Sequence, residues 1–130
     1  MSKKKDAKNV NTKQSGKEHA ARTVIYLGPN KEVGDLDISY QVSLKSILHT
    51  RIAHGLPPGV PTENLQGAAK GTGLIELKIK SKESIRCFYS LKESGLVVVA
   101  IVFVKKTDGQ ADKEIQLAVK RIKAFQNKKK

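Results

Sequence analysis

The chain has 130 residues, of which 5% are aromatic and none is Trp, and its formal net charge is +13. This length is typical of one domain with a modest core, and the single cysteine, Cys87, excludes an intrachain disulfide. No run of about 18 apolar residues is present, and the lysine-rich N-terminus lacks the apolar segment of a secretory signal. We therefore expect a cytoplasmic protein with no membrane partner.

The positive charge is concentrated in the two tails and in the second half of the chain. Residues 1–22 hold seven Lys or Arg and two acids, and residues 128–130 are three lysines. Residues 23–69 hold three bases and four acids, whereas residues 70–127 hold twelve bases and six acids. Such a distribution favours a nucleic acid or an acidic protein as partner, with a solvated basic face as the alternative.

The domain is predicted to begin at Arg22. Residues 1–21 are polar and cannot bury enough apolar surface to offset the loss of chain entropy, so we expect a disordered basic arm. Residues 22–127 are predicted to form one domain, and residues 128–130 a basic tail. The first element is a β-branched and aromatic strand at residues 23–27, which a Gly-Pro-Asn turn ends.

Two sets of apolar residues overlap after this turn. One alternates as in a strand and comprises Leu36, Ile38, Tyr40 and Val42. The other has the spacing of a helix and comprises Tyr40, Leu44, Ile47, Leu48 and Ile52. Because the second set is longer, we predict a helix from about Ser39 to Ala53, with Gly55 beyond its end.

Residues 56–73 are rich in proline and glycine and are predicted to be one long loop, either flexible or functional. The stretch from Gly67 to Gly73 lacks the Gly-Lys-Ser/Thr ending of a phosphate-binding loop and precedes a strand rather than a helix. We therefore do not predict a nucleotide cofactor.

Three strands are predicted next, at residues 74–80, 85–91 and 96–104. Lys78 and Lys80 share one face of the first strand, since side chains alternate. The short connections predict antiparallel neighbours. The third strand is apolar on both faces, so we expect it to be central and covered on both sides.

A basic amphipathic helix is predicted to end the domain. Its apolar side comprises Ile115, Ala118, Val119, Ile122 and Phe125, and Asp112 is expected at its N-cap or in its first turn.

The sequence offers little support for metal or nucleophile chemistry. His49 and His54 are five residues apart on the predicted helix, so they do not share a face, and no Cys pair or carboxylate cluster completes a site. Ser43 and Ser46 lie near His49, but the turn typical of a nucleophilic serine is absent. We predict neither a metal nor a cofactor.

A basic constellation remains as the candidate site. Its members are Lys78, Lys80, Lys82, Arg86, Lys105 and Lys106, with Phe88 on the same strand face as Arg86. If these side chains converge, the cations could hold phosphates and stabilise a phosphoryl transition state, and the ring could stack on a base. RNA cleavage by attack of a 2′-hydroxyl needs no metal, but no general base is evident. A basic sheet edge without catalysis is the alternative.

The order of motifs in residues 73–125 resembles the RelE/ParE toxin superfamily, and within it the phage-derived HigB-like branch. The matching motifs are Gly73-Leu74-Ile75-Glu76-Leu77-Lys78-Ile79, Ile85-Arg86-Cys87-Phe88-Tyr89, Phe103-Val104-Lys105-Lys106-Thr107 and Glu114-Ile115-Gln116-Leu117-Ala118. The chain departs from the branch at Ile75, where the family has Trp, and at Ile85, where it has Tyr. It also has no His or Tyr near its C-terminus.

The resemblance implies a small α+β fold, a twisted antiparallel sheet with helices packed on it. It implies the toxin of a type II toxin–antitoxin pair, a ribosome-dependent mRNA endoribonuclease (mRNA interferase) neutralised by a cognate antitoxin. Arg86 matches the family's arginine, which is thought to stabilise the phosphate, and Lys78 and Lys80 match basic positions on the preceding strand; these three are the predicted catalytic residues. Lys105 and Lys106 match further basic positions.

Two alternatives stay open because the scaffold is shared by proteins of different activity. One is a non-catalytic member that acts by protein binding, as a gyrase inhibitor or a degenerate phage protein. The other is a basic nucleic-acid-binding domain.

Overall fold

The computed structural model describes residues 21–107 and 110–128. Apart from Ala21 and Lys128, the predicted basic arm and basic tail lie outside these residues. In chain order the elements are β1 (Thr23–Tyr26), α1 (Lys31–Gly34), α2 (Ile38–Ser46), β2 (Thr62–Asn64), β3 (Leu74–Lys80), β4 (Ser84–Ser90), β5 (Leu96–Val104) and α3 (Gln110–Lys128). No helix among the described residues is long and apolar enough to cross a membrane.

The strands form one sheet in the order β1-β5-β4-β3-β2. The pairs β2–β3, β3–β4 and β4–β5 are antiparallel, and the last two are as the short connections predict. β1 pairs with β5 in parallel, because the two are joined through the rest of the sheet rather than by a hairpin. The predicted α+β class is confirmed, and the sheet is mixed.

The predicted helix is confirmed but is not uniform. α2 continues through a π-helical turn, Ile47–Arg51, and a 3₁₀ turn, Ile52–His54. Gly55 ends it in the left-handed conformation with φ 76°, which glycine adopts without steric penalty.

The prediction of a structureless loop at residues 56–73 was wrong in two places. Thr62–Asn64 is strand β2, and Gly67–Ala69 is a 3₁₀ turn. All three β2 residues are exposed, so the strand has no apolar pattern to reveal it. It forms because it pairs with the edge of β3.

Each face of the sheet is covered by helical structure. On the face that we call the α2 face, Leu44 and Leu48 pack with Leu77, Cys87 and Val97. On the opposite α3 face, Ala118 and Ile122 pack with Phe88, Ile101 and other apolar residues of the sheet. β5 is buried on both faces between β1 and β4, as its sequence predicts.

A β-bulge in β5 shifts its register with β4. Phe88 lies opposite Ile101 whereas Tyr89 lies opposite Val99, so Ala100 is the extra residue. The last residue pair between β1 and β5 is Tyr26 with Val99. Beyond this pair the outer edge of β5 needs other hydrogen-bond partners.

Side chains supply these partners. The carboxylate of Glu32 accepts a hydrogen bond from the Val102 amide at 3.3 Å and pairs with Arg121 at 2.8 Å. Arg121 also donates to the Ala100 carbonyl at 3.0 Å. The close approach requires Gly28, because a Cβ there would overlap both Glu32 and Arg121. This ion pair therefore joins α1, β5 and α3.

We expect Glu32→Ala to lower the free energy of unfolding by about 1.5 to 3 kcal/mol, because it leaves the Val102 amide without its acceptor and the Arg121 guanidinium without its counterion. Urea denaturation measures the loss, and hydrogen exchange at Val102 should accelerate. Lys31→Ala is the matched control, since its pair with Asp35 is 80% and 65% exposed; it should change stability by less than about 0.5 kcal/mol. Equal stability of the two variants would contradict the prediction.

Candidate nucleic-acid interface

The predicted basic residues converge at one end of the sheet. Lys80 on β3 lies directly opposite Ser84 on β4, and the Lys105 amide donates to the Ser84 carbonyl at 2.7 Å. Lys80, Ser84 and Lys105 therefore form a row across three neighbouring segments. Because side chains alternate along a strand, this row projects from the α3 face, two residues beyond the buried row of Arg86 and Phe103.

We call this region the basic end. It comprises Lys78, Lys80, Lys82, Arg86, Lys105 and Lys106, with Lys82 in the turn between β3 and β4 and Lys106 after β5. Lys80, Lys82 and Lys106 are exposed, and Lys105 is half-buried. Within residues 21–107 and 110–128, none of these four ammonium groups has an ion pair.

Lys78 differs because a carboxylate neutralises it. Its Nζ lies 2.9 Å from Glu63 Oε1 of β2. The hydrogen bond and the charge of Lys78 hold the pKa of Glu63 below its usual range. Lys78 thus joins β2 to β3 and contributes less free positive charge than its neighbours.

Arg86 is not on the surface. Only 5% of the residue is exposed, its Nε lies 2.9 Å from Glu76 Oε2, and its Nη1 donates to Ser84 Oγ at 2.6 Å. The Nε hydrogen is not directed at the carboxylate, so the Glu76 contact is an ion pair without a hydrogen bond at that atom. Arg86 thus lies beneath the lysine row, where it contacts Glu76 of β3 and the side chain of Ser84 in the row itself.

Phe88 is also buried, with no exposed surface. Its ring packs edge-to-face on Phe103, with ring centroids 5.3 Å apart. This packing stabilises the α3 face, and it corrects the expectation that Phe88 presents its ring to a base. The alternation that placed Phe88 beside Arg86 was right, but α3 covers that face.

Glu76 is the site residue that sequence reasoning missed. Its carboxylate is the acid in contact with Arg86, and its side chain is 15% exposed. The available signal was its position two residues before Lys78, on the same strand face. Glu76 places a carboxylate among the cations of the basic end.

A histidine–tyrosine pair lies elsewhere in the molecule. Tyr26 Oη and His49 Nε2 are 3.1 Å apart, beside a hollow of about 320 Å³ that Gln41 and Lys45 help to line. Burial raises the pKa of Tyr26, and the nearby Cys87 adds to the effect. Tyr26 packs on the α2 face, so His49 does not serve as a base for the basic end on the opposite face.

No group of His, Cys, Asp and Glu within the described ranges could hold a metal ion. Cys87 is fully buried, and this burial raises the pKa of its thiol, as expected for a small core residue.

The family model described as "Phage derived protein Gp49-like (DUF891)" matches residues 31–123. The chain belongs to this Gp49-like family. The family lies within the RelE/ParE-like toxin superfamily, so the resemblance stated from the motifs is confirmed at that level. No curated protein and no solved structure matches the chain. The matched region contains every residue of the basic end and excludes β1.

We expect Arg86→Ala to lower the free energy of unfolding by about 3 to 5 kcal/mol, because it leaves the carboxylate of Glu76 unpaired in a largely buried position. Urea denaturation of the purified protein measures this loss. Lys80→Ala, an exposed cation of the same site, should change stability by less than about 0.5 kcal/mol. If Arg86→Ala is as stable as Lys80→Ala, the ion pair is not a structural element.

Proposed function

We propose that this protein is the toxin of a type II toxin–antitoxin pair, in the HigB-like branch, and that it cleaves ribosome-bound mRNA at the basic end. The observation that supports this function best is the row formed by Lys80, Ser84 and Lys105, flanked by Lys82 and Lys106. Free cations side by side match the repeating charges of a phosphate backbone. Membership of a toxin-like family makes a small antitoxin the expected protein partner.

In this proposal the lysines hold the scissile phosphate and stabilise the charge that develops on it. The 2′-oxygen forms a bond to phosphorus, and the bond from phosphorus to the 5′-oxygen breaks. Glu76 accepts the proton of the 2′-hydroxyl, and a lysine ammonium protonates the 5′-oxygen. Arg86 lies beneath the lysines and positions Glu76 and Ser84. It contacts the phosphate only if a phosphate oxygen replaces Glu76 or Ser84 as the partner of its guanidinium.

The experiment is induced expression followed by primer extension on cellular mRNA. Translation-dependent cuts are expected for the natural protein. The double variant Lys80→Ala with Lys105→Ala should reduce cleavage by about 100-fold while remaining folded, because both side chains project from the surface. Lys31→Ala, a distant exposed cation, should cleave normally.

Two variants separate catalysis from folding at the buried pair. Glu76→Gln keeps the shape of the side chain but removes both the proton acceptor and the counterion of Arg86, so cuts should be lost and stability should fall; cleavage is therefore compared at equal amounts of folded protein. Arg86→Lys retains a positive charge and should retain more cleavage than Arg86→Ala. Intact mRNA under growth arrest would overturn the nuclease proposal.

A second function is favoured by the burial of Arg86 and Phe88 and by two apolar side chains on α2. Ile38 is 72% exposed and Val42 62% exposed, and such side chains suit a protein partner. The protein would then act without catalysis, as a gyrase inhibitor or another protein-binding member. The double variant Lys80→Ala with Lys105→Ala should then still inhibit gyrase supercoiling, whereas Ile38→Ser with Val42→Ser should not. These two results together would support this alternative.

A further inference from the structure

The glycine-rich loop from Gly67 to Gly73, for which no nucleotide site was predicted, lines a hollow near Leu74. This is the end of β3 away from the basic end. The hollow has a volume of about 480 Å³, and Lys70, Gly71 and Gly73 line it together with Lys92, which follows the end of β4. None of its lining residues is acidic. Neither lysine has an ion pair within the part of the chain that the structure describes.

The loop is held in place by buried contacts. Thr72 is 2% exposed, its hydroxyl donates to the Ala69 carbonyl at 2.5 Å, and it accepts from the Leu74 amide at 3.3 Å. Gly73 has φ 79°, and a Cβ there would lie 3.1 Å from Ser90 Oγ and 3.3 Å from Lys92. The loop therefore presents its groups without a large ordering penalty on binding.

Lys92 is directed toward this loop. Its Nζ donates to the Gly71 carbonyl at 2.6 Å, and its amide donates to Ser90 Oγ at 3.1 Å. An ammonium group has three donors, so Lys92 keeps two for a bound anion. Lys70 is exposed on the same loop.

The remaining lining residues indicate what kind of anion fits. Asn64 and Gln66 add amide donors, and Leu65, Ile75 and Leu91 add partly exposed apolar side chains. Cations beside amides suit a phosphate, and apolar side chains suit the face of a base. A nucleotide of a single strand combines both features.

We propose that this hollow is a second RNA subsite, which binds a nucleotide of the same strand whose backbone lies on the basic end. The inference rests on the proposed function and adds to it the length of RNA strand that the protein contacts. Six residue steps separate Leu74 from Lys80 on β3, which is about 20 Å at roughly 3.3 Å per residue. A stacked strand covers that distance with about six nucleotides, at roughly 3.4 Å each.

The surface between the two subsites does not repel an RNA strand strongly. Glu63 and Glu76 lie there, but Lys78 and Arg86 neutralise them. The path along β3 is therefore cationic at both ends and close to neutral in the middle.

The test is fluorescence anisotropy with 2′-O-methyl RNA, which lacks the attacking hydroxyl and cannot be cut. Labelled strands of about 4 and about 12 nucleotides bracket the short and long site sizes. The long strand should bind at least tenfold more tightly than the short one. Lys70→Gln with Lys92→Gln should remove that advantage and leave the short strand's affinity unchanged, since the two changes remove positive charge from the hollow and none from the basic end.

The salt dependence gives a second readout. Loss of two phosphate contacts should lower the slope of log K against log salt by about 1.4 for the long strand. Lys31→Gln with Lys45→Gln is the matched control, since both lysines are exposed and lie elsewhere; it should keep the natural slope. Lys70→Arg with Lys92→Arg should restore the long-strand advantage.

The outcomes separate the two proposals. If the natural protein binds both strands and the Lys70 and Lys92 variant binds the long strand equally well, the second subsite is overturned and the proposed function stands. If Lys80→Ala with Lys105→Ala does not weaken the short strand, the basic end is overturned as an RNA site. If RNA does not bind but an oligoglutamate peptide binds through Lys70 and Lys92, the hollow serves an acidic protein and the RNA assignment is overturned.

Discussion

The burial of β4 and β5 on both faces is the constraint on which the rest of the structure depends. Val97, Val98, Ile101 and Cys87 are each at most 2% exposed, so neither sheet face can be left open to water. The α2 region covers one face and α3 covers the other. Polar chemistry is therefore confined to the ends of the strands and to the connecting loops, which is where both cationic regions lie.

The same constraint explains the position of Arg86. A cation in the middle of a doubly covered strand must carry its counterion with it, and Glu76 supplies this charge from β3. The pair orients Ser84, whose backbone lies between Lys80 and Lys105. The buried pair of Arg86 and Glu76 thus helps to position the segment between the exposed lysines. In the proposed RNA cleavage, the phosphate binds on the lysine row and Arg86 acts from beneath it.

The two edges of the sheet differ in how they meet solvent. Beyond the bulge, Glu32, Arg121 and Gln110 occupy the hydrogen-bonding groups of β5, from Ala100 to Val104. The opposite edge is β2, a strand of three exposed residues. Capping a long apolar strand with charged side chains prevents it from pairing with another chain. The short β2 edge leaves the Glu63–Lys78 pair and the glycine-rich hollow accessible.

The sequence by itself determined the α+β class, the order of the main strands and helices, and membership of a toxin superfamily. The class and the order of the elements follow from local periodicity: alternation in β3 and β4, continuous apolar character in β5, and helical spacing in α2 and α3. The superfamily follows instead from the resemblance of the motifs in residues 73–125 to that family. The sequence also located the cations, because their positions on strand faces and after strand ends follow from the same alternation.

Only the tertiary structure decided which of these cations are free. Periodicity shows that Arg86 and Phe88 share a face but not that α3 covers it, because the covering element is distant in sequence. For the same reason, local sequence patterns could not predict that Glu76 pairs with Arg86 or that β2 aligns on β3. The hollow between Lys70 and Lys92 likewise exists because long-range strand pairing brings together residues that are far apart in the chain.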